Sequence, residues 1–299
     1  MDTQKIRGII PAVVTPLTEG EEVDEEALEV VLNRLIHKGV HGVFTVGTTG
    51  EFWALTPEEK RRVFRRTVAC TGGRVPVYLG TCANSTREAV MLSEWAAEAG
   101  ADCISVLTPC FITPTDEELF KHYAAIAKAV DIPILLYGNP DRTGVKLSVG
   151  LAARLAEQFP NVVGIKDSSG DLTLTTEYIR KCPKGFRAIM GRDTLIFAGL
   201  MHGTAGAIAA SANIAPEIGV AIYEHFVKGD LQKALEYQNR LAPLRLAFTL
   251  GSFPIVLKEG AEMVGLPAGP ARAPIGRLSP EKRKQLRDIL IEMGLEVVK

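Results

Sequence analysis

Short apolar runs alternate along this chain with longer stretches whose apolar residues recur every three or four positions. Runs at 8–15, 42–46, 75–80, 103–107, 133–137, 162–166, 187–190 and 204–209 read as strands buried on both faces. The stretches between them, at 24–37, 57–70, 85–99, 116–130, 148–158, 172–181 and 194–201, read as amphipathic helices. Helix-start chemistry supports the division. Thr56-Pro57-Glu58-Glu59 offers a capping threonine, a first-turn proline and a glutamate at the third helical position. Ser85-Thr86-Arg87-Glu88 reads as a second capping box, and Gly39 and Gly100 stand where C-terminal caps belong.

Strand–helix alternation repeated eight times predicts an α/β fold, a (β/α)8 TIM barrel. An open doubly wound sheet is the alternative, but no Gly-x-Gly-x-x-Gly follows the first strand. Beyond the eighth strand the texture changes. Residues 213–228, 231–250, 253–264 and 280–293 all read helical, with no strand between them. The first of these serves as the eighth barrel helix. The expected organisation is a catalytic barrel over residues 1–225 and a small C-terminal helical domain over residues 226–299.

Composition narrows the function. The chain has 299 residues, 46% of them hydrophobic, and a net charge of −1. That is ample for a large core, and no basic stripe or polybasic tract invites nucleic acid or a membrane surface. The polar start from Met1 to Arg7 lacks a signal-peptide pattern, and no apolar run reaches the ~20 residues that span a bilayer. A soluble, cytoplasmic protein is expected. The five cysteines (Cys70, Cys82, Cys103, Cys110, Cys182) contain no Cys-x-x-Cys pair, so neither a disulfide framework nor a thiolate zinc site is expected. The five histidines (His37, His41, His122, His202, His225) form no ligand cluster, since Gly39 ends the helix between the first two. Neither a metal nor a cofactor is expected.

The chemistry starts from Lys166, set in the apolar run Val162-Val163-Gly164-Ile165-Lys166-Asp167. A strongly hydrated ammonium fits such a run poorly, and lysine is seldom buried without a role. Burial favours the neutral amine, which is a nucleophile toward ketones, so a Schiff base with a keto acid is indicated. A salt bridge to Asp167 or to a facing carboxylate is the competing reading. In a barrel the chemistry sits at the C-terminal ends of the strands, and the other candidates fall there. Gly47-Thr48-Thr49-Gly50-Glu51 follows the second strand and is either a carboxylate-binding nest or an ordinary turn. Tyr137 ends the fifth, as a proton shuttle or a rim aromatic. Arg142 lies in the loop after Pro140, as a carboxylate clamp or a solvated charge. Gly191-Arg192-Asp193 follows the seventh strand, and no Gly-x-Ser-x-Gly supports a serine hydrolase.

Three segments taken together carry a resemblance: Gly47-Thr48-Thr49-Gly50-Glu51, Tyr137-Gly138-Asn139-Pro140-Asp141-Arg142-Thr143-Gly144 and Gly164-Ile165-Lys166-Asp167. In this order and at these separations they resemble the dihydrodipicolinate synthase / N-acetylneuraminate lyase family of pyruvate-dependent class I aldolases, closest to its dihydrodipicolinate synthase-like branch. The resemblance spans the whole chain. It implies that Lys166 forms an imine with pyruvate, that Thr48 and Thr49 hold the pyruvate carboxylate and orient Tyr137, and that Tyr137 relays protons. Gly191 and Ile208 fall where this family lines its pocket with backbone carbonyls. Arg142 falls where the synthase branch binds the carboxylate of its aldehyde partner. The implied reaction condenses pyruvate with aspartate semialdehyde to hydroxytetrahydrodipicolinate, on the route to lysine. Cleavage of a 2-keto-3-deoxy sugar acid and a catalytically weak, keto-acid-binding barrel are the alternatives. The implied assembly is a homotetramer of two tight dimers, supported by the apolar loop at 108–113.

Two departures from the family pattern stand out. Thr108-Pro109-Cys110-Phe111 replaces its Thr-Pro-Tyr-Tyr, whose second tyrosine reaches a neighbouring subunit and completes a proton relay with Tyr137 and Thr49. Gly138 occupies the place of its asparagine, with Asn139 one position later.

Overall fold

Parallel strands form a single ring in the computed structural model, which describes residues 3–298. Met1, Asp2 and Lys299, the outer ends of the two expected domains, lie outside the described residues. The strands are β1 (Gly8–Pro11), β2 (Val43–Thr45), β3 (Val77–Gly80), β4 (Cys103–Leu107), β5 (Ile134–Gly138), β6 (Val162–Asp167), β7 (Arg187–Met190) and β8 (Gly206–Ala209). They pair in the order β1-β8-β7-β6-β5-β4-β3-β2. A bridge between Ala12 and Phe44 closes the ring, with the Val13 N–H donating to the Phe44 carbonyl at 2.8 Å. The fold is therefore a (β/α)8 barrel.

The helices around it are α1 (Glu25–His37), α2 (Pro57–Thr71), α3 (Thr86–Ala99), α4 (Asp116–Ala129), α5 (Pro140–Thr143), α6 (Val149–Gln158), α7 (Leu172–Lys181), α8 (Ile196–Met201) and α9 (Pro216–Val227). Their ends follow the local chemistry. Thr56 and Glu59 form the expected reciprocal capping box on α2. The second box is only half made. Ser85 accepts from the Glu88 N–H, but the Glu88 carboxylate pairs with Lys60 at 3.5 Å instead of turning back to the cap. Gly100 caps α3 in the left-handed region that glycine tolerates.

Three more helices follow: α10 (Leu231–Ala247), α11 (Ile255–Met263) and α12 (Pro280–Glu292). A division at 225/226 would fall inside the last turn of α9, and α10 packs closely on α9. Several boundaries differ from the sequence pattern. The first strand ends at Pro11, and the helix expected over 231–250 tightens into a 3-10 turn at Phe248–Leu250. The helix expected from 213 starts at Pro216, where proline fits the first helical position, and the one expected from 194 is preceded by a 3-10 turn at Asp193–Leu195. Helix α5, a single turn, is too short to show a period and was not expected. No helix among the described residues is long and apolar enough to cross a membrane.

Two apolar layers hold the barrel. The outer one lies between strands and helices and includes Leu28, Leu32, Phe64, Leu92, Ile126, Leu136 and Ile165. The lumen is filled by Ile10, Phe44, Tyr78, Leu135, Val163, Ile189 and Ile208. Fully burying side chains of this size contributes about 1.5–3 kcal/mol each, so the lumen is a packed core and not a channel.

One irregularity in the sheet sets the chemistry. Ile134 pairs with Val162, but Leu135 pairs with Gly164, leaving Val163 as an extra residue on β6. Side chains alternate along a strand, so an unbroken β6 would send Val163 and Lys166 to opposite faces. The bulge resets the alternation, and both enter the lumen side, Lys166 above the Phe44 ring. Gly164 is required here, because a Cβ on it would lie 2.2 Å from the Arg187 carbonyl oxygen of β7.

Candidate active site

Lys166 is 4% exposed near the end of β6, and Tyr137 faces it from the adjoining β5. Its Nζ lies 4.0 Å from the Tyr137 ring centroid and 4.9 Å from that of Phe44. Among the described residues no carboxylate lies within ion-pairing distance of it. Asp167 points the other way, accepting from the Thr175 hydroxyl at 2.6 Å and the Ser169 N–H at 2.9 Å. The salt bridge between Lys166 and Asp167 does not form.

A cavity of about 250 Å³ opens above the lysine. Thr48, Thr49, Tyr137, Arg142, Lys166, Gly191 and Ile208 all line it, so every residue singled out from the sequence reaches one space. Thr48 Oγ1 is 3.2 Å from the Tyr137 hydroxyl. It is thus Thr48 that meets the phenol, while the neighbouring Thr49 is buried at 3% exposure. Burial pushes the Tyr137 phenol up, but the Lys166 charge and hydrogen bonds with Thr48, Asn139 and Lys166 outweigh it and leave the phenol below the usual tyrosine value. Gly191 packs so closely against Ser168 that a Cβ would lie 1.9 Å from its Oγ, and the Ser168 hydroxyl donates to the Gly191 carbonyl at 3.4 Å.

The threonine turn is pinned from the far end of the chain. Glu51 accepts from Lys258 Nζ on α11 at 2.7 Å, both side chains being almost wholly buried. The Arg272 N–H donates to the other Glu51 oxygen at 2.9 Å. Burial lowers the Lys258 amine, with Glu51 opposing that shift. Glu51 itself sits at a φ of 57°, unusual for a side chain with a Cβ, so its carboxylate bonds hold a strained turn next to Gly50. The Arg272 guanidinium also grips Glu59 and holds its carboxyl down at about 2.

At the mouth, three guanidinium groups converge. Arg192 pairs with Asp141 and donates to the Ser168 carbonyl at 2.9 Å. Arg245, on α10, lies 3.9 Å from Asp193 and stacks on Phe248. Arg142 stacks on Phe253 at 4.9 Å and, among the described residues, has no carboxylate within ion-pairing distance. Asn139, Glu51, Lys258, Arg192, Arg245 and Phe253 were given no role in the sequence reading. For Asn139 the available signal was its place between the tyrosine and a proline at a strand end. Lys258 and Arg245 carried no local signal. No group of three or more His, Cys, Asp or Glu residues among those described is arranged to hold a metal ion.

A barrel with a buried lysine beside a phenol at its carboxyl rim is the architecture of a class I aldolase-type enzyme. The sequence matches the Dihydrodipicolinate synthetase family over residues 5–293, and the chain belongs to that family. It is 40% identical over 292 residues to the 4-hydroxy-tetrahydrodipicolinate synthase of Methanopyrus kandleri, covering 97% of each chain. Among solved structures, dihydrodipicolinate synthase from Aquifex aeolicus superposes with a TM-score of 0.95 at 32% identity, over 98% of this chain and 100% of that one. YagE of Escherichia coli K12, a prophage protein of the dihydrodipicolinic acid synthase family solved in complex with pyruvate, gives 0.94 at 32% identity, over 97% and 99%.

Proposed function

We propose that this chain is a 4-hydroxy-tetrahydrodipicolinate synthase that condenses pyruvate with aspartate semialdehyde through an imine on Lys166. The observation that carries this reading is the Lys166 amine itself, buried against the Tyr137 ring with no carboxylate among the described residues within ion-pairing distance. The hydroxyls and N–H groups of Thr48 and Thr49 bind the pyruvate carboxylate, and Lys166 attacks the keto carbon. Tyr137 gives a proton to the departing oxygen and takes one from the methyl carbon as the enamine forms. The enamine then adds to the aldehyde. Borohydride reduction in the presence of pyruvate, followed by peptide mapping, tests the assignment. The expected adduct is on Lys166; an adduct elsewhere, or none, overturns it.

Arg142 selects the aldehyde. Of the three guanidiniums at the mouth it is the one left without an acidic partner among the described residues, and it stacks on Phe253, which lines the same cavity. A charge-assisted hydrogen bond contributes about 1.5–3 kcal/mol, so Arg142→Ala lowers kcat/KM for aspartate semialdehyde by about 10- to 150-fold. Pyruvate trapping stays unchanged, because the threonine turn holds that carboxylate. An arginine that merely extends into solvent alters neither step. Phe111 favours a second reading, cleavage of a 2-keto-3-deoxy sugar acid, because its ring offers no hydroxyl to a synthase relay. A panel of aldehydes and keto-deoxy acids separates the two. If the wild type ignores aspartate semialdehyde and Arg142→Ala still cleaves a neutral-tailed sugar acid, the second reading stands.

The chain works in the cytoplasm as a homotetramer of two tight dimers. Supporting this, Phe111 is 93% exposed and Ile112 67% exposed, side by side on the loop after β4. Phe111 also holds a φ of 74°, a costly conformation for an aromatic residue. Adjacent exposed apolar side chains on a strained loop are fitted to burial against a second copy. Light scattering on the dilute protein is expected to give a tetramer mass, and a monomer mass would refute the assembly.

A further inference from the structure

Asn139 opens the single turn α5, with a φ of −145° and ψ of 70° that place it at the capping position. Asparagine there ordinarily turns its side-chain oxygen to the N–H groups of the first turn. This one makes no side-chain cap bond, and its Nδ2 instead donates to the Tyr137 oxygen at 3.1 Å. The same oxygen has Thr48 Oγ1 at 3.2 Å. A phenol carries one proton and acceptor lone pairs, and an amide nitrogen can only donate. The amide therefore occupies an acceptor site on the oxygen and leaves the phenol proton to point at Thr48, at Lys166 or into the cavity.

We propose that Asn139 is a positioning residue for the proton transfers at Lys166, aiming the Tyr137 O–H and holding the phenolate left when that proton departs. The proposal rests on the imine reading of Lys166. As the carbinolamine collapses, the bond from carbon to oxygen breaks and the oxygen leaves as water with the Tyr137 proton. The products are an iminium and a phenolate. The phenolate then takes a proton from the methyl carbon of the bound pyruvate, giving the enamine and the neutral phenol. Charge appears on the Tyr137 oxygen only between these two events, and that is when a fixed amide donor is most useful. Thr48 and Lys166 can also donate to this oxygen, but each can change role as protons move, whereas the Asn139 amide, on the loop that also carries Arg142, can only donate.

The other groups around the phenol are consistent with this role. Lys166 faces it from β6, Thr48 from the turn after β2, and the Cys82 thiol from the segment after β3, with Phe52 and Leu107 as apolar neighbours. Burial pushes the Cys82 thiol up to about 11, which keeps it protonated through the neutral range. Asp141, Arg142, Arg192, Asp193 and Arg245 line the outer part of the same cavity.

The test is the rate of imine formation at Lys166, measured by quenching pyruvate mixtures into borohydride across the neutral and alkaline range. Asn139→Leu removes the donor, and Asn139→Asp replaces it with an acceptor of the same size. Loss of a donor to the charged form raises the phenol pKa, so the alkaline limb of the rate moves up. For Asn139→Leu the expected shift is about one pH unit with about a tenfold slower rate, and pyruvate KM changes less than about twofold. Asn139→Asp moves the limb further, since a carboxylate disfavours the phenolate. Variants that fold and trap at the wild-type rate overturn the proposal. Variants that slow trapping without moving the limb also overturn it, leaving Asn139 a role in shape alone. A wild type that traps no pyruvate at Lys166 refutes the underlying imine reading instead.

Discussion

Replacing Lys166 with methionine is expected to lower turnover by about four orders of magnitude or more, the scale on which covalent enzymes lose activity with their nucleophile. The protein is expected to melt no lower than the wild type. Two magnitudes decide that second point. The Lys166 side chain gains about 2 kcal/mol from the faces of Phe44 and Tyr137, but burying a polar amine costs about as much. No carboxylate among the described residues adds to the gain. Methionine fills a similar volume without a polar terminus, so the substitution removes a cost that only the chemistry justifies. Calorimetry and a turnover assay on one preparation check both halves. Retention of more than about one hundredth of wild-type turnover would contradict the assignment.

Lys258→Met is expected to destabilise the fold by about 3–5 kcal/mol, because it strands the Glu51 carboxylate in the interior without its cation. Glu51→Gln alone leaves an ammonium uncompensated and costs a similar amount. The double variant is expected to recover most of the loss, since removing a buried pair entirely is often neutral. The effect reaches function as well. Glu51 adjoins Gly50 and holds the turn that carries Thr48 and Thr49, so pyruvate KM rises in either single variant. Denaturant unfolding gives the stabilities. If both single variants lose less than about 1 kcal/mol, the pair is an ordinary surface-like contact and does not hold the turn.

The barrel and the positions of most residues of the candidate site were legible in the sequence because those signals are local, whereas the roles expected of them came from the family resemblance. A charge inside an apolar run marked Lys166. Strand ends marked Tyr137 and the Thr48-Thr49 turn, because the rim is where a parallel barrel puts its loops. The β6 bulge was not legible. Val162, Val163, Gly164 and Ile165 read as one apolar run, and only the pairing with β5 reveals that Val163 is extra. The orientation of Lys166 thus depends on a register that no periodicity encodes. Asn139 was noticed as a displaced asparagine, but its aim at Tyr137 depends on the path of α5. The Glu51–Lys258 pair joins residues 207 positions apart, and the buried Lys258 lies in a helix whose apolar pattern gives no hint of a partner on the rim.

That separation has a consequence for how the protein is made. The Thr48-Thr49 turn emerges early during synthesis, together with the Glu51 carboxylate that must end up buried. Its cation arrives only with α11, after every barrel strand has been produced. Contacts between such distant residues are slow to form, because the chain must lose the entropy of a long loop before they offer any return. Until then the Glu51 carboxylate lacks the cation that pairs with it in the finished fold. The nascent barrel is therefore expected to carry Lys166 and Tyr137 before the turn bearing Thr48 and Thr49 is pinned, and the C-terminal helices supply that last contact.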